Sequence, residues 1–198
     1  MKKLLVIFLV MSVGVIMAQD FEYVGNSNCK MCHNKAASGA QYKVWSETNH
    51  ANTFKTLKSE NAAKFAAEAG IEGPAWEAAE CLVCHTVGFG AGGYEVKDES
   101  FRTPADDDKV GKKAVKRMKG LKSVGCEACH GPGSKYKSSK TMKAVFAGEV
   151  DPASVGLLTV TEETCIGCHN EKSPGFDGFI FEEMVAKIAH PYPEGMGQ

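Results

Sequence analysis

The sequence predicts a mainly α-helical protein with long loops. Three observations support this fold class. Segments rich in helix-forming residues carry apolar side chains at helical spacing, glycine-rich stretches separate these segments, and a short pattern of two cysteines and one histidine recurs four times. Only the fragment GYEVKDES at residues 93–100 hints at a β-strand.

The first predicted helix covers residues 51–69, where the composition favours helix formation. Phe54, Leu57 and Phe65 lie at roughly helical spacing, so they share one apolar face. Gly70 follows this segment, and glycine at that position is typical of a helix end. The segment therefore predicts one long helix with an apolar side.

The last predicted helix covers residues 177–190. It ends before Pro191, because proline disfavours helical geometry at the residue that precedes it. One face carries its apolar side chains, which are Phe181, Met184, Val185 and Ile188. A short basic helix is predicted at residues 112–119, and glycine-rich loops are predicted at 88–94 and 131–134.

The N-terminus resembles a secretory signal peptide. Two lysines precede an apolar run at residues 4–17, and the small residue Ala18 stands before polar residues. We expect residues 1–18 to be the signal peptide and residues 19–198 to form one domain. The alternative is an uncleaved anchor, although a spanning helix needs about 20 apolar residues. Either interpretation places the protein in the periplasm or otherwise outside the cytoplasm.

The net charge and the hydropathy of the chain bear on two classes of protein, those that bind nucleic acids and those that span membranes. The formal net charge is -1, so there is no general basic character to favour nucleic-acid binding. No later segment is apolar enough to cross a bilayer, so we expect no stable membrane span after signal cleavage. The oligomeric state is not indicated by the sequence.

All eight cysteines fall in one repeated pattern, in which Cys-x-x-Cys is followed directly by histidine. Disulfides are common in exported proteins, but a disulfide framework has no reason to place histidine after every second cysteine. Zinc is also disfavoured, because a histidine beside its cysteine rarely reaches the same tetrahedral ion as both thiolates. The pattern is that of c-type haem attachment. The attachment residues are Cys29, Cys32, Cys81, Cys84, Cys126, Cys129, Cys165 and Cys168.

The spacing follows from the chemistry of attachment. Two thiols three positions apart bond to the two vinyl groups of one haem, and the adjacent imidazole then binds the iron from one face. The sequence therefore predicts four covalently bound c-type haems in one compact domain. Their proximal iron ligands are His33, His85, His130 and His169.

The chain has too few histidines to give every haem a second one. Of the six histidines, only His50 and His190 remain after the proximal ligands are assigned. Both are predicted distal ligands. His50 precedes the first predicted helix, and His190 ends the last one, where a cationic histidine would also suit the helix dipole.

The chain resembles the tetrahaem cytochrome c-554 family of exported multihaem proteins. The matching stretches occur in the same order, and they are CKMCH with VWSETNHA, CLVCHTVGFGAGGY, VGCEACHGPG, and ETCIGCH with FEEMV and a terminal histidine. The resemblance implies a mostly helical multihaem cytochrome c fold packed around its haems. It also implies transfer of electrons between partners in nitrogen metabolism.

The resemblance also implies a ligand set. In the family three haems carry two histidines each, and the haem of the second motif is five-coordinate. The haem on His85 would then have an open face. His190 resembles the family's C-terminal ligand for the fourth haem, and we expect His50 to face His130.

The departure from the family lies after the third motif. Family members place another ligating histidine shortly after CHGPG, but this chain has SKYKSSKTMK instead. The haem on His33 is the one expected to lose its second imidazole. Met142 is the energetically most favourable replacement, because it has no proton to lose. Lys137 or Lys140 must first lose a proton, at a free-energy cost of roughly 4.6 kcal/mol. A methionine ligand would also raise the potential of that haem. Water, an empty position or a ligand from another chain are further alternatives.

These observations predict an exported electron carrier with no catalytic residues. Its partners would be other redox proteins, either cytochromes or quinone-linked oxidoreductases. The charged segment at residues 106–120 is interpreted as a solvated surface, or alternatively as a docking patch for such a partner.

Two other functions stay open. The haem on His85 could serve a small haem reductase or a binder of diatomic gases such as nitric oxide, with the glycines of 88–93 letting the backbone approach it. We interpret that loop instead as a tight turn leading to Tyr94. The other alternative is a subunit of a haem filament, which the shortage of histidines disfavours.

Overall fold

The computed structural model describes residues 21–192, so the predicted signal peptide at 1–18 lies outside the described residues. In this range the chain forms eleven α-helices and no β-strand. The helices are α1 (Asn26–His33), α2 (Gln41–Ser46), α3 (Thr53–Thr56), α4 (Glu60–Glu68), α5 (Ala79–His85), α6 (Glu99–Arg102), α7 (Lys109–Gly120), α8 (Cys126–His130), α9 (Ser139–Phe146), α10 (Glu162–Ile166) and α11 (Phe181–Ile188). The predicted mainly α fold with long loops is confirmed. None of these helices is long and apolar enough to cross a lipid bilayer.

Three short 3-10 turns supplement these helices. They lie at Ala36–Ser38, Asn49–Asn52 and Pro152–Val155. The second turn leads directly into α3 and contains His50. It therefore sets the position of one predicted distal ligand.

The strand suggested at residues 93–100 is wrong. Residues 94–98 belong to no helix or strand, and the described residues contain no strand that could pair with them. The Tyr94 N–H donates to the Val87 carbonyl at 2.8 Å, and the Glu95 N–H meets the Met118 sulfur at 3.2 Å. Because these partners belong to a turn and a side chain, the segment has no ladder to extend.

The long helix predicted at residues 51–69 is interrupted. It is divided into α3 and α4, because Ser59 caps the N-terminus of α4 by accepting a hydrogen bond from the Ala62 N–H at 3.2 Å. The predicted end is confirmed, since Gly70 has φ +70° in the left-handed region. Phe54 and Leu57 are buried, as predicted. Phe65, predicted to lie on the same face, is 39% exposed, because it lies on α4, beyond the break.

The last helix is shorter than predicted. It begins at Phe181 rather than at residue 177, and it ends at Ile188. Ala189 has φ -55° and ψ 133°, which is outside the helical region, so His190 lies beyond the helix and not at its last turn. The extended backbone at Ala189 ends the helix, so the chain leaves the helix axis before it reaches His190.

The basic helix predicted at residues 112–119 forms the middle of α7. Asp108 caps this helix by accepting a hydrogen bond from the Gly111 N–H at 2.8 Å, and Lys112 pairs with Asp106 at 3.5 Å. Val115 and Met118 are buried on one face of α7. The cationic side chains consequently point to the other faces.

The glycine-rich segment at residues 88–94 forms a tight turn. The Gly93 N–H donates to the Gly88 carbonyl at 2.9 Å, and the chain then returns to Val87 through Tyr94. Gly88 has φ +62°, and a Cβ atom there would lie 2.5 Å from the Tyr23 ring. The segment is therefore a turn whose conformation and packing require glycine.

The apolar core lies in the first two thirds of the chain. It is formed by α3, α4, α5 and α7 with the loops between them, and its buried residues are Phe54, Leu57, Ala66, Ala75, Leu82, Val87, Tyr94, Met118 and Leu121. From residue 137 to residue 192 there is no buried hydrophobic side chain. Several large apolar side chains are exposed there, namely Phe146, Leu158, Ile166, Phe176, Ile180 and Tyr192.

Two valines of α7 provide a test of where the protein core lies. Val115 is 8% exposed, whereas Val110 on the same helix is 80% exposed. We expect Val115→Ala to lower the free energy of unfolding by about 2 kcal/mol, because it removes buried methyl groups. Val110→Ala should change it by no more than about 0.5 kcal/mol. Denaturant unfolding of the holoprotein measures both, and equal effects would show that the interior face of α7 is not part of the core.

Candidate haem-binding site

The four motifs occupy equivalent places in the fold. His33, His85 and His130 are the last residues of α1, α5 and α8, and His169 follows α10 after a short turn. Each motif places its two cysteines one helical turn apart, so their thiols can lie on one side of the segment. None of the eight cysteines forms a disulfide, and all are at least partly accessible.

The motifs contact one another in a definite order. Cys29 and Cys126 are neighbours, and Cys126 raises the pKa of Cys29, so the first motif lies beside the third. Cys168 lowers the pKa of Cys84 to about 7, so the second motif lies beside the fourth. Burial, then the neighbouring Cys165 and Cys126 thiols, raise the pKa of Cys129 to about 11, so the third and fourth motifs are also adjacent. The order in space is first, third, fourth, second.

Four of the six histidines form two facing pairs. The ring centroids of His50 and His169 are 5.9 Å apart, and those of His130 and His190 are also 5.9 Å apart. Two imidazoles on opposite sides of one metal ion, each with a bond of about 2 Å, have ring centres about 6 Å apart. Both pairs therefore have the spacing that a shared iron requires, and the donor set fits haem.

The partners of His50 and His190 are exchanged relative to the expectation. We expected His50 to face His130 and His190 to serve the haem on His169, but the structure places His50 against His169 and His190 against His130. His50 lies near the second motif, because the Thr53 hydroxyl donates to the carbonyls of both His50 and His85. The second motif in turn contacts the fourth.

His190 is held near the first and third motifs by its neighbour. The Pro191 carbonyl accepts a hydrogen bond from the side-chain amide of Gln41 at 3.1 Å, and Gln41 also contacts the His33 ring. The contact with α2 places the C-terminal segment beside the first motif. This long-range contact explains why His190 faces His130.

Burial prepares these imidazoles for metal binding. Burial, and next the neighbouring His169, lower the pKa of His50. Burial and then His190 lower the pKa of His130, and burial also lowers the pKa of His190. A lower pKa favours the neutral ring, whose nitrogen lone pair is available to a metal.

Two residues that the sequence analysis missed orient proximal histidines. The His85 Nδ1–H donates to the Thr53 carbonyl at 2.8 Å, which leaves Nε2 free to bind iron. The Gln41 side-chain oxygen lies 3.3 Å from Nδ1 of His33. The Thr53 hydroxyl also accepts a hydrogen bond from the Val124 N–H at 3.0 Å, just before the third motif. No local pattern predicts these contacts, because the partners are distant in sequence.

The segment after the third motif places its candidate ligands differently. Met142 is half-buried on α9, whereas Lys137 and Lys140 are exposed. Tyr136 is buried, and its hydroxyl donates to the Gly131 carbonyl at 2.6 Å. Burial raises the pKa of Tyr136, and Glu127, Cys29 and Cys126 raise it further, so this ring lies at the junction of the first and third motifs. The sixth ligand of the haem on His33 stays a prediction.

Apolar and aromatic side chains surround the motifs on their open sides. Met31 and Val83, between the cysteines of the first and second motifs, are 69% and 54% exposed. The Phe179 ring is stacked on the His169 ring with a centroid separation of 5.1 Å. These surfaces suit contact with the apolar face of a porphyrin.

Comparisons with known proteins identify the family of this chain. The sequence profile of the family described as cytochrome c554 and c-prime matches residues 28–131, just over half of the chain. Cytochrome c-554 of Nitrosomonas europaea is 31% identical over 167 residues. That alignment covers 79% of this chain, and the chain spans 61% of the length of that relative.

A solved structure shows the same fold. The structure of reduced cytochrome c554 from Nitrosomonas europaea is 27% identical, with a TM-score of 0.52, and the match covers 86% of this chain and 79% of that one. The profile match includes the first three motifs, and the fourth repeats the same pattern. The chain therefore belongs to the cytochrome c554 and c-prime family and carries four c-type haems.

Proposed function

We propose that this protein is an exported carrier that passes single electrons between redox proteins. Each bound haem would supply one reversible one-electron step. The observation that supports this function best is the close arrangement of the motifs, in which cysteines of neighbouring motifs lie near enough to shift one another's pKa. The chain thereby holds its attachment sites close together in one order, as a relay requires.

The ends of the series are the sites where partners would exchange electrons. The first motif lies at one end, and the exposed Cys32 belongs to it. The second motif lies at the other end, where Val83 is more than half exposed. The third and fourth motifs lie between them. We propose that electrons enter near one end motif and leave near the other.

The ligand sets differ along this series. We propose that His50 and His169 share one iron and that His130 and His190 share another, both at the middle motifs. His33 and His85, at the two ends, would then have no second imidazole. The sixth position at His33 would be open or taken by Met142, with Lys140 as the less favourable choice because of its proton.

A cationic surface near the second motif supports docking of an acidic partner. Lys58, Lys119 and Lys122 border a cavity of about 250 Å³ that is also lined by Phe54 and Trp76. Burial, and then Lys58, Arg102 and Lys119, lower the pKa of Lys122, because these cations converge. Phe54 adjoins Thr53, whose carbonyl binds the His85 ring. A partner on this surface would lie close to the second motif.

The cellular setting is part of the proposal. We propose that signal cleavage leaves one domain at residues 19–198 in the periplasm or a similar exported location. Its partners would be cytochromes or quinone-linked oxidoreductases that process nitrogen compounds, as the family resemblance implies. The domain would need no catalytic residue of its own, because it only conveys electrons.

Electron paramagnetic resonance tests the ligand sets. In the oxidised holoprotein we expect two low-spin haems, and the substitutions His50→Ala and His190→Ala should each convert one of them to high spin. A third low-spin haem that disappears in Met142→Leu would identify Met142 as the ligand at His33. Four low-spin haems that survive these substitutions would contradict the ligand assignment.

The same samples test the enzyme alternative. If the haem on His85 has an open face, carbon monoxide or nitric oxide should bind to the reduced protein and change its spectrum. Binding with no catalytic turnover of nitric oxide would agree with an electron carrier. Turnover at the rate of an enzyme would instead favour the reductase.

Reaction with ferricyanide tests the cationic surface. The reduced holoprotein should be oxidised by this trianion at a rate that falls as ionic strength rises, although the protein's net charge is negative. Replacing Lys58, Lys119 and Lys122 by glutamine should slow the reaction about tenfold at low ionic strength.

The matched control replaces three exposed lysines elsewhere, which are Lys64, Lys109 and Lys143. This variant has the same net charge as the first, so stopped-flow measurement separates local from overall charge. Equal slowing of both variants would show that the surface has no special role.

A further inference from the structure

Glu127 is the most deeply buried charged residue among the residues that the structure describes. It is 2% exposed, and it lies on α8 between the two cysteines of the third motif. The proposed function assigns it no role. A charged side chain is rarely buried so completely unless it is paired or hydrogen-bonded.

Every hydrogen bond of Glu127 comes from a backbone N–H. Oε1 accepts hydrogen bonds from the N–H groups of Val24 at 2.8 Å and Gly133 at 2.7 Å. Oε2 accepts from the N–H groups of Gly25 at 2.7 Å and Val24 at 3.1 Å. Both oxygens face donors only, so a proton on either oxygen would point at an N–H. The carboxylate is therefore the form that this site accommodates.

Glycine residues allow the backbone to bring these N–H donors close to Glu127. Gly25 has φ +84°, and a Cβ atom there would lie 2.9 Å from the Arg117 carbonyl. A Cβ atom on Gly133 would lie 3.0 Å from Glu127 Oε1. The chain thus places glycine at two of the three donor residues. Val24 and Gly25 come from a segment about a hundred positions away from the third motif.

No cation neutralises this carboxylate. Within residues 21–192, the ion pairs involve other residues, and Glu127 takes part in none of them. Its partners are neutral amides, so its negative charge persists in a poorly solvated place. In such surroundings a charge acts on its neighbours more strongly than it would in water.

The charge lies where the first and third motifs meet. Cys29 of the first motif and Cys126 of the third motif are neighbours beside it. Burial, and next the Glu127 carboxylate, raise the pKa of Tyr23, and the same two causes raise the pKa of Tyr136. The electrostatic effect of Glu127 therefore reaches side chains on both sides of the junction.

We propose that Glu127 tunes the reduction potentials of the haems on His33 and His130. Reduction adds one electron to a haem iron, and a fixed negative charge nearby opposes that addition. Each of these two haems would have a lower potential than the same haem without the Glu127 charge. The inference rests on the proposed electron transfer and adds a residue that sets two of its potentials.

The test compares potentials of holoprotein variants in a spectroelectrochemical titration. Glu127→Gln keeps the volume and removes the charge, and Glu127→Asp keeps the charge. Glu22→Gln makes the same charge change at an exposed position of the N-terminal segment. We expect Glu127→Gln to raise the reduction potentials of two of the four haems by about 59 mV. For one electron this corresponds to a tenfold change in the ratio of reduced to oxidised iron. Glu127→Asp and Glu22→Gln should leave the potentials near those of the wild type.

Asn26→Asp provides a test of opposite sign. Asn26 is buried at the same junction, and its side-chain oxygen accepts a hydrogen bond from the Cys126 N–H at 3.2 Å. The substitution adds a negative charge with almost no change of shape, so the same two haems should shift downward at pH 8. Loosening of the structure cannot produce opposite shifts in the two variants. If Glu127→Gln does not fold, unchanged potentials in Asn26→Asp would overturn the proposal, because a charge at this junction would then not reach the haems.

The His190→Ala variant identifies the haem on His130, because it removes the low-spin signal of that haem. The potential of this haem must be among those that Glu127→Gln shifts. Unchanged potentials in Glu127→Gln, or the same upward shift in Glu127→Asp, would overturn the tuning role. Either result would leave the proposed electron transfer intact. A wild-type protein whose four haems cannot exchange electrons with one another would instead overturn the proposed function.

Discussion

Covalent attachment is the constraint on which the whole structure depends. Two thiols and one imidazole must meet each haem from a segment of only five residues, and the helical turn is the local geometry that brings them together. Four such segments lie near one another, with cysteines of successive motifs as neighbours. The long loops between the helices serve to bring these segments together, which explains why regular secondary structure is short and strands are absent from residues 21–192.

The two parts of the chain are stabilised differently. The first two thirds have a protein core in which Leu82 and Leu121 are fully buried. The final third offers exposed apolar side chains around the fourth motif, and its helices are held by local hydrogen bonds and by a few long-range contacts such as that between Gln41 and Pro191. The haems would therefore contribute more to the stability of the C-terminal part than to that of the rest.

Long-range polar contacts arrange the motifs relative to one another. Thr53 joins the distal candidate His50 to the proximal His85, and Glu127 ties the N-terminal segment to the third motif. Each contact satisfies buried backbone groups and also sets the position or the electrostatic surroundings of a haem site. In this protein the same interactions that hold the chain together would also distinguish the four haems.

The cofactor and its number follow from the order of residues alone, because attachment is a local property of five consecutive residues, and the same pattern predicts the proximal ligands. Helix positions followed from spacing, although the break at Ser59 and the end at Ile188 depend on capping and on backbone geometry that spacing does not show. The folded chain brings His50 against His169 and His190 against His130, and it buries a carboxylate beside the first and third motifs. These are contacts between residues far apart in the chain, and no local pattern specifies them.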